Sequence, residues 1–112
     1  MIEISNITDE DFLIIILDGE VDASSSIHLD NAISEAIEKS HKKILVDCGK
    51  LAYISSAGLG VFMSYIQDFQ SQNIKLVLFG LSDKVRNVFE ILGLDQLLQI
   101  TDSLEAAKSL CE

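Results

Sequence analysis

Residues 52–62 read Ala-Tyr-Ile-Ser-Ser-Ala-Gly-Leu-Gly-Val-Phe (AYISSAGLGVF), and what this stretch joins decides the fold. Downstream, Leu59, Phe62, Tyr65, Ile66 and Phe69 recur at the spacing that lines one face of a helix. Upstream, Ile44-Leu45-Val46 is a short, β-branched run of the kind found in a strand buried on both faces. The segment therefore carries a passage from strand to helix, with two serines and a Gly-Leu-Gly at the joint.

The same passage repeats along the chain. Leu29, Ile33, Ala36 and Ile37 have helical spacing, as do Val85, Val88, Phe89 and Leu92, and finally Leu104, Ala107 and Cys111. Lys75 to Phe79 and Leu97 to Ile100 are strand-like runs between them. Ahead of the first helix, Ile2 and Ile4 alternate with polar residues, an acidic turn spans Thr8 to Asp11, and Phe12 to Leu17 is an apolar run of strand length, which together predict an antiparallel pair. The expectation is an α/β fold: a mixed, mostly parallel sheet with about four helices and one antiparallel N-terminal strand. Ser82 is placed to cap the third helix, Gly93 to end it, and Asp102 with Glu105 to open the fourth as a capping box. The chain has no Pro, repeat or linker-like stretch, so residues 1–112 read as one domain.

Charge narrows the function classes. The net charge is −10, and residues 1–38 hold ten carboxylates without a Lys or Arg, leaving the rest balanced. Such a surface repels phosphate backbones and anionic lipid, which speaks against nucleic-acid and membrane partners and favours a basic protein surface. No apolar run approaches a membrane span, the N-terminus lacks the basic region of a secretory signal, and Cys48 and Cys111 lack metal or redox spacing. A reducing cytoplasm is the expected setting, and a small acidic domain gives no reason to expect more than a monomer.

Enzyme signatures fail. Ser-Ala-Gly-Leu-Gly is neither a phosphate-cradling GxxxxGK[ST] nor a full GxGxxG, and no Gly stands two residues before either serine as a nucleophile elbow requires. His28 and His41 lie in polar surface contexts, and Glu20 with Asp22 are read as helix-flanking or solvated carboxylates. No metal site, cofactor or catalytic residue is indicated. In parallel sheets ligand-facing loops lie beyond the carboxyl ends of the strands, which singles out Asp18 to Asp22 and the opening stretch. One of Ser55 and Ser56 suffices as helix cap. Ala57, Gly58 and Gly60 leave the first turn with little bulk, open to a close-approaching partner. A phosphate on an exposed hydroxyl there is tolerated by the helix dipole and free N–H groups.

Gly19-Glu-Val-Asp22, Ile54-Ser-Ser-Ala-Gly-Leu-Gly-Val-Phe62 and Gly80 to Leu94 (GLSDKVRNVFEILGL), in this order and together with the chain's length, resemble the bacterial anti-sigma factor antagonists, which consist of one STAS domain. The resemblance implies a STAS-like fold and a phospho-switch. An anti-sigma factor that is also a serine kinase, carrying the ATP, is bound by the unphosphorylated antagonist, so that a sigma factor is freed. Phosphorylation releases the kinase, and a serine phosphatase resets the switch. Aligned on Gly58-Leu59-Gly60, the implied phosphoacceptor is Ser56, with Asp22, Ser55, Ser56, Ala57, Gly58, Leu59 and Gly60 forming the partner-binding surface. Many relatives carry Asp at the position of Ser55, which makes Ser55 a competing acceptor. The alternative reading is an unregulated STAS interaction module, such as a cytosolic subunit of a lipid-transporting ABC complex or a signalling scaffold, in which Ser56 only caps.

Overall fold

A computed structural model describes residues 2–111. The chain opens with β1 (Ile2–Asp9) and β2 (Phe12–Val21), paired antiparallel from Ile2 opposite Gly19 to Asp9 opposite Phe12. Glu10 makes the tight turn between them at a left-handed φ of 57°. There follow α1 (Ser26–Glu38), β3 (Lys43–Ile54), α2 (Ser56–Ser71), β4 (Lys75–Phe79), α3 (Asp83–Ile91), a 3-10 turn at Leu94–Gln96, β5 (Gln99–Thr101) and α4 (Leu104–Cys111).

Among the described residues these strands form one sheet in the order β1-β2-β3-β4-β5, parallel from β2 onward. Each crossover steps to the next strand in the same direction. Crossovers are right-handed, so α1, α2 and α3 all land on one face. The main core follows: Ile15, Leu17, Ile44, Val46 and Leu78 of the sheet meet Leu29, Ile33, Phe62 and Phe89 of these helices, all excluded from solvent. Phe62 and Phe89 join α2 to α3 with ring centroids 6.3 Å apart. Only α4 crosses to the other face, where Ala107 and Cys111 cover Phe12, Ile14, Leu45, Val77 and Phe79. The middle strands are thus buried on both faces, which is why their sequences run apolar rather than alternate.

Four boundaries differ from expectation. β2 and β3 extend well past their apolar runs, β2 to Val21 and β3 to Ile54, and two register irregularities, between Ile16 and Asp18 and between Gly19 and Glu20, let the ladder continue through polar residues. Asp18 to Val21 are therefore strand, not loop. The last strand begins at Gln99, not Leu97, because Leu94–Gln96 close a 3-10 turn that leaves Leu97 facing solvent. The fourth helix is capped by Ser103, whose Oγ accepts the Ala106 N–H at 3.1 Å, while Asp102 instead accepts from Arg86 Nη1 at 3.0 Å. The third helix is as expected: Ser82 Oγ accepts the Val85 N–H at 3.3 Å, and Gly93 follows the helix at φ 73°, a left-handed conformation that favours glycine.

Candidate functional site

The ends of β2 and β3 are stitched together. Val21 pairs with Ile54, and one residue further the Ser55 N–H donates to the Val21 carbonyl at 2.8 Å. The two segments that follow, Asp22 to Ser25 and Ser55 to Gly60, are therefore neighbours at the carboxyl end of the sheet.

The serine pair divides its tasks by backbone geometry. Ser55 is extended (φ −85°, ψ 170°) and caps α2: its Oγ accepts the Gly58 N–H at 3.3 Å and its carbonyl accepts the Leu59 N–H at 3.0 Å. Ser56 is already the first helical residue and is exposed, and its hydroxyl makes no hydrogen bond among the described residues. The Ser56 and Ala57 N–H groups at the helix start likewise lack acceptors among the described residues, so the positive end of the helix dipole faces solvent beside a free hydroxyl.

Gly58 and Leu59 belong to the underside of the turn. Leu59 is 1% exposed, and a Cβ on Gly58 would stand 2.7 Å from Val21 Cγ1 and 2.8 Å from Ile54 Cγ1. Gly58 thus lets the helix start seat directly on the two strand ends. A partner approaching from outside would meet Ser56, Ala57 and Gly60, and a Cβ on Gly60 would meet nothing within 4 Å. The expected small-residue surface is narrower than the sequence implied, because one of its glycines serves internal packing.

Asp22 closes the site on the other side. Its Oδ1 accepts from Ser24 Oγ (2.8 Å), Ser24 N (3.0 Å), Ser25 Oγ (2.9 Å) and Ser25 N (2.9 Å). These bonds, led by the Ser24 hydroxyl and then Ser25, favour the charged form and hold the carboxyl down at about 2. Asp22 is therefore a fixed negative charge that organises the turn into α1, which agrees with its reading as a helix-flanking carboxylate.

Sequence reasoning missed the apolar side chains that face solvent around this end. Ile27, in the first turn of α1, is 53% exposed; Tyr53, before the end of β3, is 44%; and Met63 is 48%. Met63 lies seven residues after Ser56, with Gly60 between, so the three share a helix face away from the buried stripe of Leu59, Phe62 and Phe69. The only sequence signal was that Met63, like Val61, is apolar but falls outside the helical stripe, which does not by itself say that it faces solvent. His41 precedes β3 and so lies at the opposite end of the sheet from Ser56, and no histidine base adjoins the hydroxyl from that side. Among the described residues no helix is long and apolar enough to cross a membrane, and no group of three or more His, Cys, Asp or Glu is placed to hold a metal ion.

The chain resembles known proteins over nearly its whole length. The signature of the STAS domain matches residues 3–107. An anti-sigma-B factor antagonist of Listeria monocytogenes is 34% identical over 92 residues, spanning 82% of this chain and 81% of that protein. An anti-sigma factor antagonist of Mycobacterium paratuberculosis superposes with a TM-score of 0.90 at 16% identity, covering 99% of this chain and 94% of the other. The Bacillus cell fate determinant SpoIIAA, solved in its phosphorylated form, superposes with a TM-score of 0.70 at 21% identity over 98% of this chain and 99% of the other.

Proposed function

The chain belongs to the STAS domain family, in the company of anti-sigma factor antagonists, and from that premise we propose that it is a single-domain antagonist switched by phosphate on Ser56. It acts in the cytoplasm as a binding protein rather than a catalyst. Unphosphorylated, it engages an anti-sigma factor that is also a serine kinase, and so frees a sigma factor. The docking surface is the exposed shoulder of α2, namely Ser56, Ala57, Gly60 and Met63, flanked by Ile27 and the Asp22 turn.

The observation that carries this reading is the division of labour between the serines. Ser55 satisfies the helix start, so the Ser56 hydroxyl is unengaged and solvent-facing. In the transfer, Ser56 Oγ bonds to the γ-phosphorus of the kinase's ATP, ADP departs, and the hydroxyl proton passes to a base on the kinase. The phosphate places close to −2 charge at the centre of the docking surface. On the free protein the open Ser56 and Ala57 N–H groups and the helix dipole accommodate it, so the fold persists. In a complex it would be desolvated beside the Asp22 carboxylate, and rebinding is opposed. A serine phosphatase hydrolyses the ester and restores the binding form.

Incubation with the cognate kinase and ATP, followed by mass-spectrometric site mapping, tests the assignment. Phosphate on Ser56 is expected. Phosphate confined to Ser55, or none with a demonstrably active kinase, overturns it and leaves an unregulated interaction module.

A further inference from the structure

A second surface lies away from the switch, along the free edge of the sheet. Among the described residues β1 pairs on one side only, with β2. Natural proteins protect such an edge with Pro, bulges, lysines or brevity. β1 has no Pro, bulge or Lys and is eight residues long with an unbroken register; its charged side chains, Glu3 and Asp9, stand toward its two ends, and between them Ser5, Asn6, Ile7 and Thr8 are exposed and uncharged.

The edge is also one wall of a groove. Ile2, Ile4 and Asn6 face Asn31, Ala32 and Glu35 of α1 across a cavity of about 350 Å3. A further cavity of about 140 Å3 shares Asn6, Ala32 and Glu35 and continues along the strand to Thr8. The strand contributes every second residue and the helix contributes positions three and four apart, so the groove runs parallel to a regular edge of unpaired backbone groups. An edge strand beside a helix, with side-chain space between them, is the geometry that accepts an extended peptide by strand addition.

Charge selects the occupant. No Lys or Arg occurs before Lys39, and Glu3 stands directly across from Asp18 on the opposite face of the same pair of strands. Lys39, which lines the far cavity, is bridged to Glu35 at 2.8 Å, and Lys108 holds Asp9 at 2.5 Å. Glu3, Glu10 and Glu38 form no ion pair among the described residues. A second copy of this chain would bring Glu3, Asp9 and Glu10 against the same acidic edge. We propose that β1 and its groove with α1 accept an extended, Lys/Arg-bearing segment of a partner protein as a sixth strand.

The test uses the isotope-labelled full chain and two panels of nonapeptides, one alternating Val or Thr with Lys or Arg, the other carrying Glu at the basic positions. Expected are saturable binding of the basic panel alone, slowed amide exchange at alternate residues within Ser5–Thr8, and unchanged signals at residues 55–60. Ala32→Arg, which fills the groove with bulk and positive charge on an otherwise intact helix, is expected to weaken binding at least about tenfold, a readily resolved change in Kd, while leaving thermal melting unchanged. The proposal is overturned by no saturation of any basic peptide at concentrations on the order of 1 mM, by equal binding of the Glu panel, by shifts centred on residues 55–60, or by β1 protection that appears with protein concentration alone.

Discussion

Ser55 and Ser56 are chemically identical neighbours, and the backbone turn between them gives only one a structural duty. Ser55→Ala removes the acceptor for the Gly58 N–H and is expected to cost about 1 kcal/mol in denaturant unfolding. Ser56→Ala removes an unengaged hydroxyl and is expected to stay within about 0.5 kcal/mol of the parent. The reverse ranking would make Ser56 the cap and remove the observation on which the switch rests. The sequence narrowed the cap to these two serines but could not choose, because the choice depends on which residue first takes helical backbone angles. Asp22 offers a second residue-scale test. Its folded pKa lies below the unfolded value, so its contribution is fully present above about pH 4 and is lost as pH falls toward about 2. Carboxyl-detected NMR titration is expected to place its midpoint near 2 in the parent and to raise it when Ser24 and Ser25 are both changed to Ala. A parent midpoint at the ordinary value for aspartate, about 4, would mean that the serine bonds do not hold the turn.

At the scale of the element, the first turn of α2 contrasts two glycines two residues apart. Gly58→Ala forces a methyl against Val21 and Ile54 and is expected to destabilise by about 1–3 kcal/mol, the usual cost of overpacking. Gly60→Ala places its methyl in open space and is expected to stabilise by about 0.5–1 kcal/mol through helix propensity. Thermal or chemical unfolding of the two variants checks both signs, and equal effects would show that the helix does not sit on the strand ends. Strands and helices were legible as element types because their periodicities differ. The extensions of β2 and β3 were not, since Asp18, Glu20, Asp47 and Lys50 interrupt the apolar signal while the ladder continues through its irregularities. Likewise Asp102 and Ser103 both suit a helix start; α4 begins at Leu104, so Ser103 is the cap, and Asp102, one residue earlier, accepts from Arg86 instead.

Across the whole molecule, the order of the sheet converts a linear charge bias into a spatial one. The acidic first third becomes β1, β2 and α1, one flank of the protein, and the turn between β2 and α1 places Asp22 where β2 and β3 end, next to the segment that opens α2. The sequence carried the sidedness of the charge and the motif that holds the serine. It did not carry the apolar rim of Ile27, Tyr53 and Met63, because exposure depends on how helices seat on the sheet. The central claim is that phosphate acts on the docking surface and not on the fold. Isothermal titration of the nucleotide-loaded kinase with unphosphorylated and Ser56-phosphorylated protein, each shown by thermal melting to be folded, tests it most directly. The account predicts that phosphorylation weakens binding by about a hundredfold or more, close to 3 kcal/mol, with the melting temperature little changed; equal affinities for two folded forms would contradict it.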